Sequence, residues 1–565
     1  MAIGRFPWKA ATTLAVAMAV LVPGPLVARP RSRPLPPLVR GPGDALTRSL
    51  RTGTLTPSEY ALERARTLFG LKEVRHRFGQ VARPHPRSAT LLLRDLALRL
   101  NQLNKDDRAA AHGLLARPTD PLSGGQFDVV YSSPAVDTCS EHMCFHWVED
   151  VGDADAPPPA DVDADGMRDW VETTVEVFEE QVWAHEIDTL GFRPPKSDES
   201  SASNGGDGRL DIYLANLGDD GIYGYCTSDD PNINRLGRPS YPYWDVSAYC
   251  VVDNDYAAGE YPAQTPLGNL QVTAAHEFLH ASQFSYDVTE DGWFMEGTAV
   301  WVEDEVYDDL DDNHQYLATS ALTKPHKSLD LSSYNFDSGD FMLQYGAWLF
   351  FRFAEEWLGS DPAIVKEMWQ RADGSALQEY GDKFSLKAVA SAASPHGSKF
   401  KTLFADFGAA NYSPSLYYEE GAAYDAEGGP PVERTVTLSA GNPKIGWRST
   451  TVAHLSNHYV LFNRGSGVDS SARLRVTLDL PARKRGQQAT LLVEKTSGAV
   501  KWRRAELDRA GDATLRVGFG GKVDSVVLVL SGASTRMSCW RGDVYSCQGT
   551  PRDHRLTHRY KAAVI

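Results

Sequence analysis

The spacing of apolar residues changes sharply after about residue 426, and this change constrains the fold more than any other feature. Between Gly268 and about Asn411, apolar residues recur every three to four positions, as in helices. After the break AEGGPP (426–431), apolar and polar residues alternate, as in RLRVTLDL and DSVVLVL. Such alternation between Gly, Asn and Pro turns is typical of short strands. We therefore expect a separate β-sandwich over residues 430–550, followed by a tail over 551–565.

The region before this break combines strands and helices. Three runs, FDVVY, CFHWV and LDIYLANL, have strand character, and Trp170 to Ile187 has helical spacing. Further helices are predicted over 269–286, 291–308, 312–322, 341–358, 361–372 and 385–411. Strands followed by helices indicate an α+β domain over residues 125–425, with a helical C-terminal half.

The first residues have the pattern of a secretory signal peptide. Arg5 and Lys9 precede an apolar run, Ala10 to Val22, and Pro23-Gly24-Pro25 and Ala28 follow. Thirteen apolar residues are too few to span a bilayer. We expect a signal peptide over residues 1–28 and a soluble, secreted, extracellular protein; the alternative is a buried N-terminal helix.

Six cysteines fit an exported chain. They form three sequence-local pairs, Cys139/Cys144, Cys226/Cys250 and Cys539/Cys547, and an even count in such a chain usually indicates disulfides. Six cysteines allow fifteen different pairings, and the sequence alone does not decide among them. Cys139 and Cys144, with His142 and His146 beside them, also allow a zinc site, although an oxidising compartment favours the disulfide.

The chain is basic near its N-terminus and acidic beyond it. Residues 29–120 carry eighteen Lys/Arg and eight Asp/Glu, a net +10, and Arg5 and Lys9 add +2. Since the whole chain carries −17, the part from residue 121 onward carries −29. The basic part shows helical spacing over 58–69 and 90–115 and ends in the breaker-rich run ARPTDPLSGG. We interpret residues 29–124 as a helical pro-segment that covers the acidic body; an ordinary N-terminal subdomain is the alternative. The acidic balance argues against broad nucleic-acid binding and against docking on anionic membranes.

The strongest motif is the pentad His276-Glu277-Phe278-Leu279-His280, which has the pattern H-E-x-x-H. It lies inside a predicted helix with no proline between Leu267 and Asp287. Residues four apart on a helix share a face, so both imidazoles can bind one zinc ion. Glu277 then acts as the general base toward the zinc-bound water. The alternative is two hydrogen-bonded histidines on a core helix.

A catalytic zinc site needs a third protein ligand and one open position. Fifteen residues separate His280 from Glu296, which lies in the apolar run WFMEGTA. A lone carboxylate there would be costly to bury unless it bound a cation, so we expect Glu296 to be the third ligand. Glu303 and Asp304, further along the same predicted helix, are expected to hold the histidine N–H groups.

HEFLH followed by W-F-M-E-G-T-A resembles the gluzincin zinc metallopeptidases. The fuller string HEFLHASQFSYD…WFMEGTAVWVEDEVYDD resembles a group of secreted bacterial metalloproteases, and the resemblance covers most of residues 125–530. It implies a zincin-like catalytic domain with His276, His280 and Glu296 as zinc ligands and Glu277 as the base. The fifteen-residue spacer is shorter than in thermolysin-like or aminopeptidase gluzincins, and no G-A-M-E-N motif is present. This departure favours an endopeptidase over an aminopeptidase.

Amide hydrolysis places negative charge on the carbonyl oxygen, so a hydrogen-bond donor besides zinc is expected. Tyr345 in LQYGAWLFF is the candidate, because its phenol interrupts an apolar helix beside Gly346. A core tyrosine with a satisfied hydroxyl is the alternative.

A second metal motif begins at Asp161. The run DVDADGMRDWVE matches D-x-D-x-D-G-x5-E, the pattern of a calcium-binding loop. Its predicted calcium ligands are Asp161, Asp163, Asp165, the Met167 carbonyl, Asp169 and Glu172. Since APPPA precedes the loop, only an exiting helix is possible. We expect structural Ca²⁺; a solvated acidic loop is the alternative.

Together these patterns predict a secreted zinc endopeptidase zymogen that is stabilised by calcium. We expect a monomer with protein or peptide substrates and no nucleic-acid or membrane partner. Two alternatives remain open: a catalytically inactive zincin-fold binding or adhesion protein, and an aminopeptidase.

Overall fold

A computed structural model describes residues 33, 35, 43–121, 129–332, 339–359 and 361–565. The predicted signal peptide lies outside this part of the chain. Helices and strands are both present, and the predicted α+β class is confirmed. Among the described helices, none is long and apolar enough to cross a membrane.

The N-terminal segment is helical. Its helices are α1 (Ala45–Thr52), α2 (Pro57–Phe69), α3 (Leu71–Phe78), α4 (Ala89–Ala97) and α5 (Lys105–Leu114). Thr56 and Glu59 form a capping box at the start of α2, with Pro57 in the first turn. Leu46, Tyr60 and Val74 contribute to a small core of this segment. The leucines of α4 instead join the main core, so α4 is packed into the body.

A five-stranded mixed sheet follows. Its strands are β1 (Ala135–Cys139), β2 (Met143–Val148), β3 (Leu210–Ala215), β4 (Gly224–Thr227) and β5 (Tyr249–Asp253), in the spatial order β1-β2-β3-β5-β4. β2, β3 and β5 are parallel, and β1 and β4 run antiparallel at the edges. Every residue of β2 to β5 is buried, which explains the continuous apolar runs in their sequences.

Three long helical elements pack near this sheet. They are α6 (Asp169–Glu176) with its π-helical continuation Val177–Thr189, α7 (Pro266–Asp287) and α8 (Gly292–Val306). α7 begins where the Thr265 hydroxyl accepts a hydrogen bond from Gly268 N at 3.0 Å. From Gly268 onward, all but one residue of α7 are buried, because the sheet, α8 and the π-helical stretch surround it.

The rest of the helical half contains α9 (Trp348–Trp357), α10 (Ala363–Ala372), α11 (Leu386–Ala392), α12 (Phe400–Ala410) and α13 (Gly421–Tyr424). Three of the predicted helices differ from the structure. The helix predicted over 341–358 has a 3-10 turn at Asp340–Leu343 and becomes α-helical only at Trp348. Residues 312–322 form a 3-10 helix over Asp312–Thr319. The predicted helix over 385–411 is divided into α11 and α12, because Pro395 and Gly397, whose φ is 72°, interrupt it.

The C-terminal region contains eleven strands: β6 (Val432–Leu438), β7 (Lys444–Val452), β8 (Asn457–Arg464), β9 (Arg473–Asp479), β10 (Gln487–Lys495), β11 (Val500–Arg504), β12 (Asp512–Gly518), β13 (Val523–Gly532), β14 (Met537–Ser538), β15 (Thr550–Pro551) and β16 (Leu556–Val564). One sheet has the order β11-β10-β13-β8-β6 and the other β12-β9-β16-β7. Alternate residues of both sheets enter one shared apolar core, so the two sheets form a sandwich.

The last residues differ from the sequence expectation. Residues 551–565 were expected to be a tail, but β16 lies between β9 and β7. His558, Tyr560 and Ala562 are buried at every second position along it. The period-two pattern was hidden because small and polar residues occupy the inward positions.

Three disulfides join the predicted cysteine pairs, Cys139–Cys144, Cys226–Cys250 and Cys539–Cys547, which confirms them. The first two link residues directly opposite each other on neighbouring strands. Cys139 and Cys144 therefore hold no metal. The third closes a loop whose Cys547 N–H donates to Asp291 Oδ2 at 2.6 Å, at the start of α8.

Candidate functional site

The two histidines of the pentad face the same point. On α7, His276 and His280 are four residues apart, and their Nε2 atoms are 3.1 Å from each other. Both side chains are buried. Gly224 on β4 allows the helix to approach the sheet, since a Cβ there would lie 2.8 Å from Thr273 Cγ2 and 3.3 Å from Glu277 Cγ.

Glu296 on α8 completes the cluster. Its Oε2 lies 3.4 Å from His276 Nε2 and 3.8 Å from His280 Nε2. The next residue, Gly297, allows α8 to pack closely on α9, because a Cβ there would lie 2.8 Å from Phe351 Cε2. One ligand atom from each of His276, His280 and Glu296 lies within 4.8 Å of the other two. The structure thus brings together the three predicted zinc ligands.

The electrostatics of the cluster favour a cation. Burial opposes charge on Glu296, but contacts with His276 and His280 outweigh it and lower the pKa of this carboxyl to about 2. Burial also opposes charge on His276, yet contacts with Glu296 and Glu303 raise its pKa to about 10. Neither oxygen of Glu296 has a hydrogen-bond partner among the described residues. Positive charge beside Glu296 offsets the cost of burying its carboxylate, and a metal ion bound there would supply such charge.

A second layer of residues orients the histidines. Glu303 Oε1 lies 2.6 Å from His276 Nδ1, as expected. His280 Nδ1 lies 2.8 Å from Gln283 Oε1, and the Gln283 amide donates to Met295 O at 3.1 Å. These contacts leave both Nε2 atoms for a metal.

Asp304 does not hold a histidine, so this expectation was wrong. It pairs instead with Arg352 of α9, because the residue after Glu303 is rotated about 100° around the helix axis. The sequence reasoning missed Gln283 as a histidine partner. Its position, three residues after His280 on the same helix face, is the signal that could have identified it.

Tyr345 also lies at the site. Its ring stacks near that of His276, with the centroids 6.5 Å apart. The hydroxyl donates to the backbone carbonyl of Arg87 at 3.0 Å. Burial raises the pKa of Tyr345 well above its usual range, so the phenol remains protonated and able to donate.

The N-terminal segment covers the catalytic candidate Glu277. Thr90 on α4 donates its hydroxyl to Glu277 Oε2 at 2.7 Å, and the Thr90 hydroxyl oxygen accepts the Cys226 N–H of β4 at 2.9 Å. α4 thus lies between Glu277 and the outer edge of β4. With this cover in place, Glu277 is 1% exposed.

The residues before α4 extend the cover. Arg87 donates to Glu303 and Asp312, each at 2.8 Å, and all three side chains are buried. The His85 ring lies 5.4 Å from that of Tyr345. Arg87 therefore reaches the carboxylate that also contacts His276. Nothing in the sequence of the segment indicated these contacts.

Two further arginines of the segment enter acidic pockets. Arg117 pairs with Asp198, Asp211 and Asp229, and its guanidinium lies 4.7 Å from the centre of the Tyr249 ring. Arg33 pairs with Asp287 and Asp382. The basic segment and the acidic body thus meet through specific buried ion pairs.

The predicted calcium loop has its first carboxylates together. One ligand atom each of Asp161, Asp163 and Asp165 lies within 4.8 Å of the other two. Gly166 adopts a φ of 97°, which a residue with a Cβ rarely accepts. The Met167 N–H donates to Asp165 Oδ1 at 2.8 Å.

The later loop residues close the turn. Asp169 begins α6 and accepts Val162 N–H at 2.9 Å. Desolvation and the negative charges of Asp165 and Asp163 raise the pKa of Glu172. This crowding of carboxylates is the electrostatic situation that a divalent cation relieves.

Comparisons with known proteins do not identify this chain. No family model and no curated protein matches it. Among solved structures, a pre-peptidase C-terminal domain of a collagenase from Bacillus anthracis is 12% identical, covers 24% of this chain and 97% of its own, and gives a TM-score of 0.15. A periplasmic inhibitor of g-type lysozyme from Aeromonas hydrophila is 10% identical over 23% and 98%, also with a TM-score of 0.15. A 4-O-methyl-alpha-glucuronidase of family GH115 is 8% identical over 67% and 54%, with a TM-score of 0.13. At these TM-scores the similarities carry no functional argument.

Proposed function

We propose that this protein is a zinc-dependent endopeptidase whose N-terminal segment keeps it inactive. The observation that supports it most is the buried cluster of His276, His280 and Glu296, with two Nε2 atoms 3.1 Å apart beside a carboxylate that lacks a hydrogen-bond partner among the described residues. Two imidazoles and one carboxylate form a donor set that suits catalytic zinc.

Zinc bound there would polarise the substrate carbonyl and lower the pKa of the attacking water, so that the water gives up a proton more readily. The protein's own residues perform the remaining tasks. Glu277, next to His276 on α7, takes the proton from the attacking water and delivers it to the leaving amine. Glu303 and Gln283 keep the histidine rings in the binding tautomer. The Tyr345 phenol donates to the carbonyl oxygen as negative charge develops on it.

The substrate binds as an extended strand along β4. This strand pairs with β5 on one side only, and its other edge faces α4. The Cys226 N–H, now bound to Thr90, would donate to a peptide carbonyl once α4 has left. Because an extended peptide can continue past both ends of a short edge strand, this arrangement favours internal cleavage.

The N-terminal segment must leave before catalysis. Thr90 occupies the hydrogen-bonding position of the base, Arg87 binds Glu303, and α4 covers the strand edge. Cleavage in the run ARPTDPLSGG (116–125), followed by release of the segment, would uncover Glu277, Glu303 and the edge of β4. This segment is thus a pro-segment, and the body is the mature enzyme.

The test compares the full-length protein, a processed form cut after the segment, and Glu277→Gln in the processed form. We expect one zinc per chain in all three, with cleavage of an unfolded protein only by the processed wild type. Glu277→Gln should reduce the rate at least 10²–10⁴-fold, since it removes base catalysis without removing a ligand. Glu296→Ala is the matched control, because it should lose zinc as well as activity.

Two outcomes would contradict the proposal. If the processed protein binds zinc but cleaves no unfolded protein, or if Glu277→Gln is as active as the wild type, the cluster serves binding rather than hydrolysis. An N-acetylated peptide separates endopeptidase from aminopeptidase activity, since only an endopeptidase cleaves it internally.

Calcium has a separate, structural part in this proposal. Asp161, Asp163 and Asp165, together with the Met167 carbonyl, Asp169 and Glu172, would hold it at the start of α6. The carboxylates of Asp161, Asp163 and Asp165 form an exposed group apart from the buried group of His276, His280 and Glu296, so calcium there stabilises the fold and takes no part in hydrolysis.

A further inference from the structure

The Arg33 side chain fills a pocket at the C-terminal end of α7. Its guanidinium lies 4.6 Å from the ring centres of both Trp244 and Phe384 and 5.7 Å from that of Trp540. It pairs with Asp287 and with Asp382. Aromatic faces with carboxylates at their edge are the surroundings that a planar guanidinium requires.

The pocket is built into the body rather than formed by Arg33. Asp287 is fully buried with Arg33 in place, and the body itself orients its carboxylate, which accepts hydrogen bonds from the Thr289 N–H and hydroxyl at 2.9 and 2.6 Å. Gly374 leaves space at its wall, since a Cβ there would lie 3.0 Å from Asp287 Oδ2 and from Trp244 Cβ. The Phe384 and Trp540 rings meet edge to face, with their centres 5.0 Å apart.

A departing Arg33 would leave this pocket without its cation. A buried, unpaired carboxylate is strongly unfavourable, so Asp287 needs another positive group or a proton. Asp382 is partly exposed, which places the mouth of the pocket at the surface. A side chain from outside can therefore enter it.

The pocket is also close to the proposed catalytic cluster. Asp287 follows His280 by seven residues on α7, which corresponds to about 10 Å along the helix axis. An extended peptide covers this distance in about three residues. A substrate held at the cluster could thus place one of its side chains in the pocket.

We propose that the pocket of Trp244, Phe384, Trp540, Asp287 and Asp382 is a guanidinium-binding subsite, filled by Arg33 in the full-length chain and available to a substrate arginine after the pro-segment leaves. Its use by a substrate rests on the proposed peptidase function. Its affinity for a guanidinium does not depend on that function.

The experiment uses full-length Arg33→Ala, which empties the pocket, and methylguanidinium as the probe. Calorimetry should detect one site in the variant and none in the wild type. At ten times the Kd, the melting temperature of the variant should rise by about 1–2 °C while that of the wild type does not. Methylammonium, a cation without the planar fork, should bind at least tenfold more weakly, and adding Asp287→Asn should abolish the site.

If Arg33→Ala fails to fold, the milder Arg33→Gln variant receives the same measurements. Folding of either variant only in the presence of methylguanidinium would also support the subsite. Equal responses of wild type and variant, or no binding to a folded variant, would overturn it.

A second readout separates this proposal from the peptidase proposal. Peptides cleaved by the processed enzyme should be enriched in arginine at one fixed distance from the cut. If methylguanidinium binds but no peptide is cleaved, the guanidinium subsite is supported and the peptidase proposal is rejected. Cleavage without an arginine preference and without probe binding would reject the pocket alone.

Discussion

Thr90→Val in the full-length protein tests the inhibitory contact most directly. The change keeps the side-chain volume and removes one hydroxyl. Two hydrogen bonds are lost: the donation to Glu277 at 2.7 Å and the acceptance from Cys226 N–H at 2.9 Å. A bond to a charged group contributes about 1.5–3 kcal/mol, and a buried amide without a partner costs about 1–3 kcal/mol. We therefore expect docking of α4 to weaken by about 3 kcal/mol.

A weakening of this size shifts the docking equilibrium about 100-fold, since each 1.4 kcal/mol corresponds to a factor of ten. The basal cleavage rate of full-length Thr90→Val on an unfolded protein should rise by the same factor. Thr67→Val is the matched control, because its buried hydroxyl bonds, among the described residues, only to Arg64 O within α2. If Thr90→Val is as inactive as Thr67→Val while the processed protein is active, Thr90 does not restrain Glu277.

Three further predictions concern other parts of the molecule. Arg87→Met removes the ion pair between Arg87 and Glu303 and should raise the basal activity of the full-length protein. Its zinc content, measured by metal analysis, should not change. Unchanged activity would show that Arg87 does not restrain the enzyme. Calcium at 100 times its Kd should stabilise the wild type by about 2.7 kcal/mol in thermal unfolding but should leave Asp165→Ala unchanged. Equal unfolding curves of the wild type with and without calcium would show that the loop binds none. Burial raises the pKa of Glu186 well above its usual range, so the folded state keeps a proton that the unfolded state loses above about pH 4.3, and stability falls as pH rises. Glu186→Gln should therefore raise the melting temperature more at pH 8 than at pH 4, and an equal shift at both values would refute this.

Local patterns predicted the elements that carry the site. The pentad lies on α7 because its neighbours have helical spacing and no proline interrupts them, and Glu296 follows on α8 for the same reason. The predicted disulfides join residues close in sequence, so their geometry depends on hairpins and neighbouring strands. Prediction succeeded where a few consecutive residues determine the structure.

Contacts between distant residues could not be predicted in this way. Thr90 and Glu277 are 187 positions apart, and only the packed leucines of α4 bring them together. The sequence of β16 shows no clear alternation of apolar and polar residues, because His558 and Ala562 on its inward face are not strongly apolar. Such features depend on which surfaces meet in three dimensions, and a single sequence does not contain that information in readable form.

In the structure, the basic segment and the acidic body are joined by buried ion pairs, and these pairs determine how the segment can be released. Exposed charges are screened beyond about 8 Å at physiological ionic strength, so a diffuse attraction between a basic segment and an acidic body would weaken in salt. Arg33, Arg87 and Arg117 instead reach buried carboxylates, where screening is small. Each departing arginine leaves at least one unpaired buried carboxylate, so partial release is unfavourable. We therefore expect salt alone to leave the full-length protein inactive and chain cleavage to activate it.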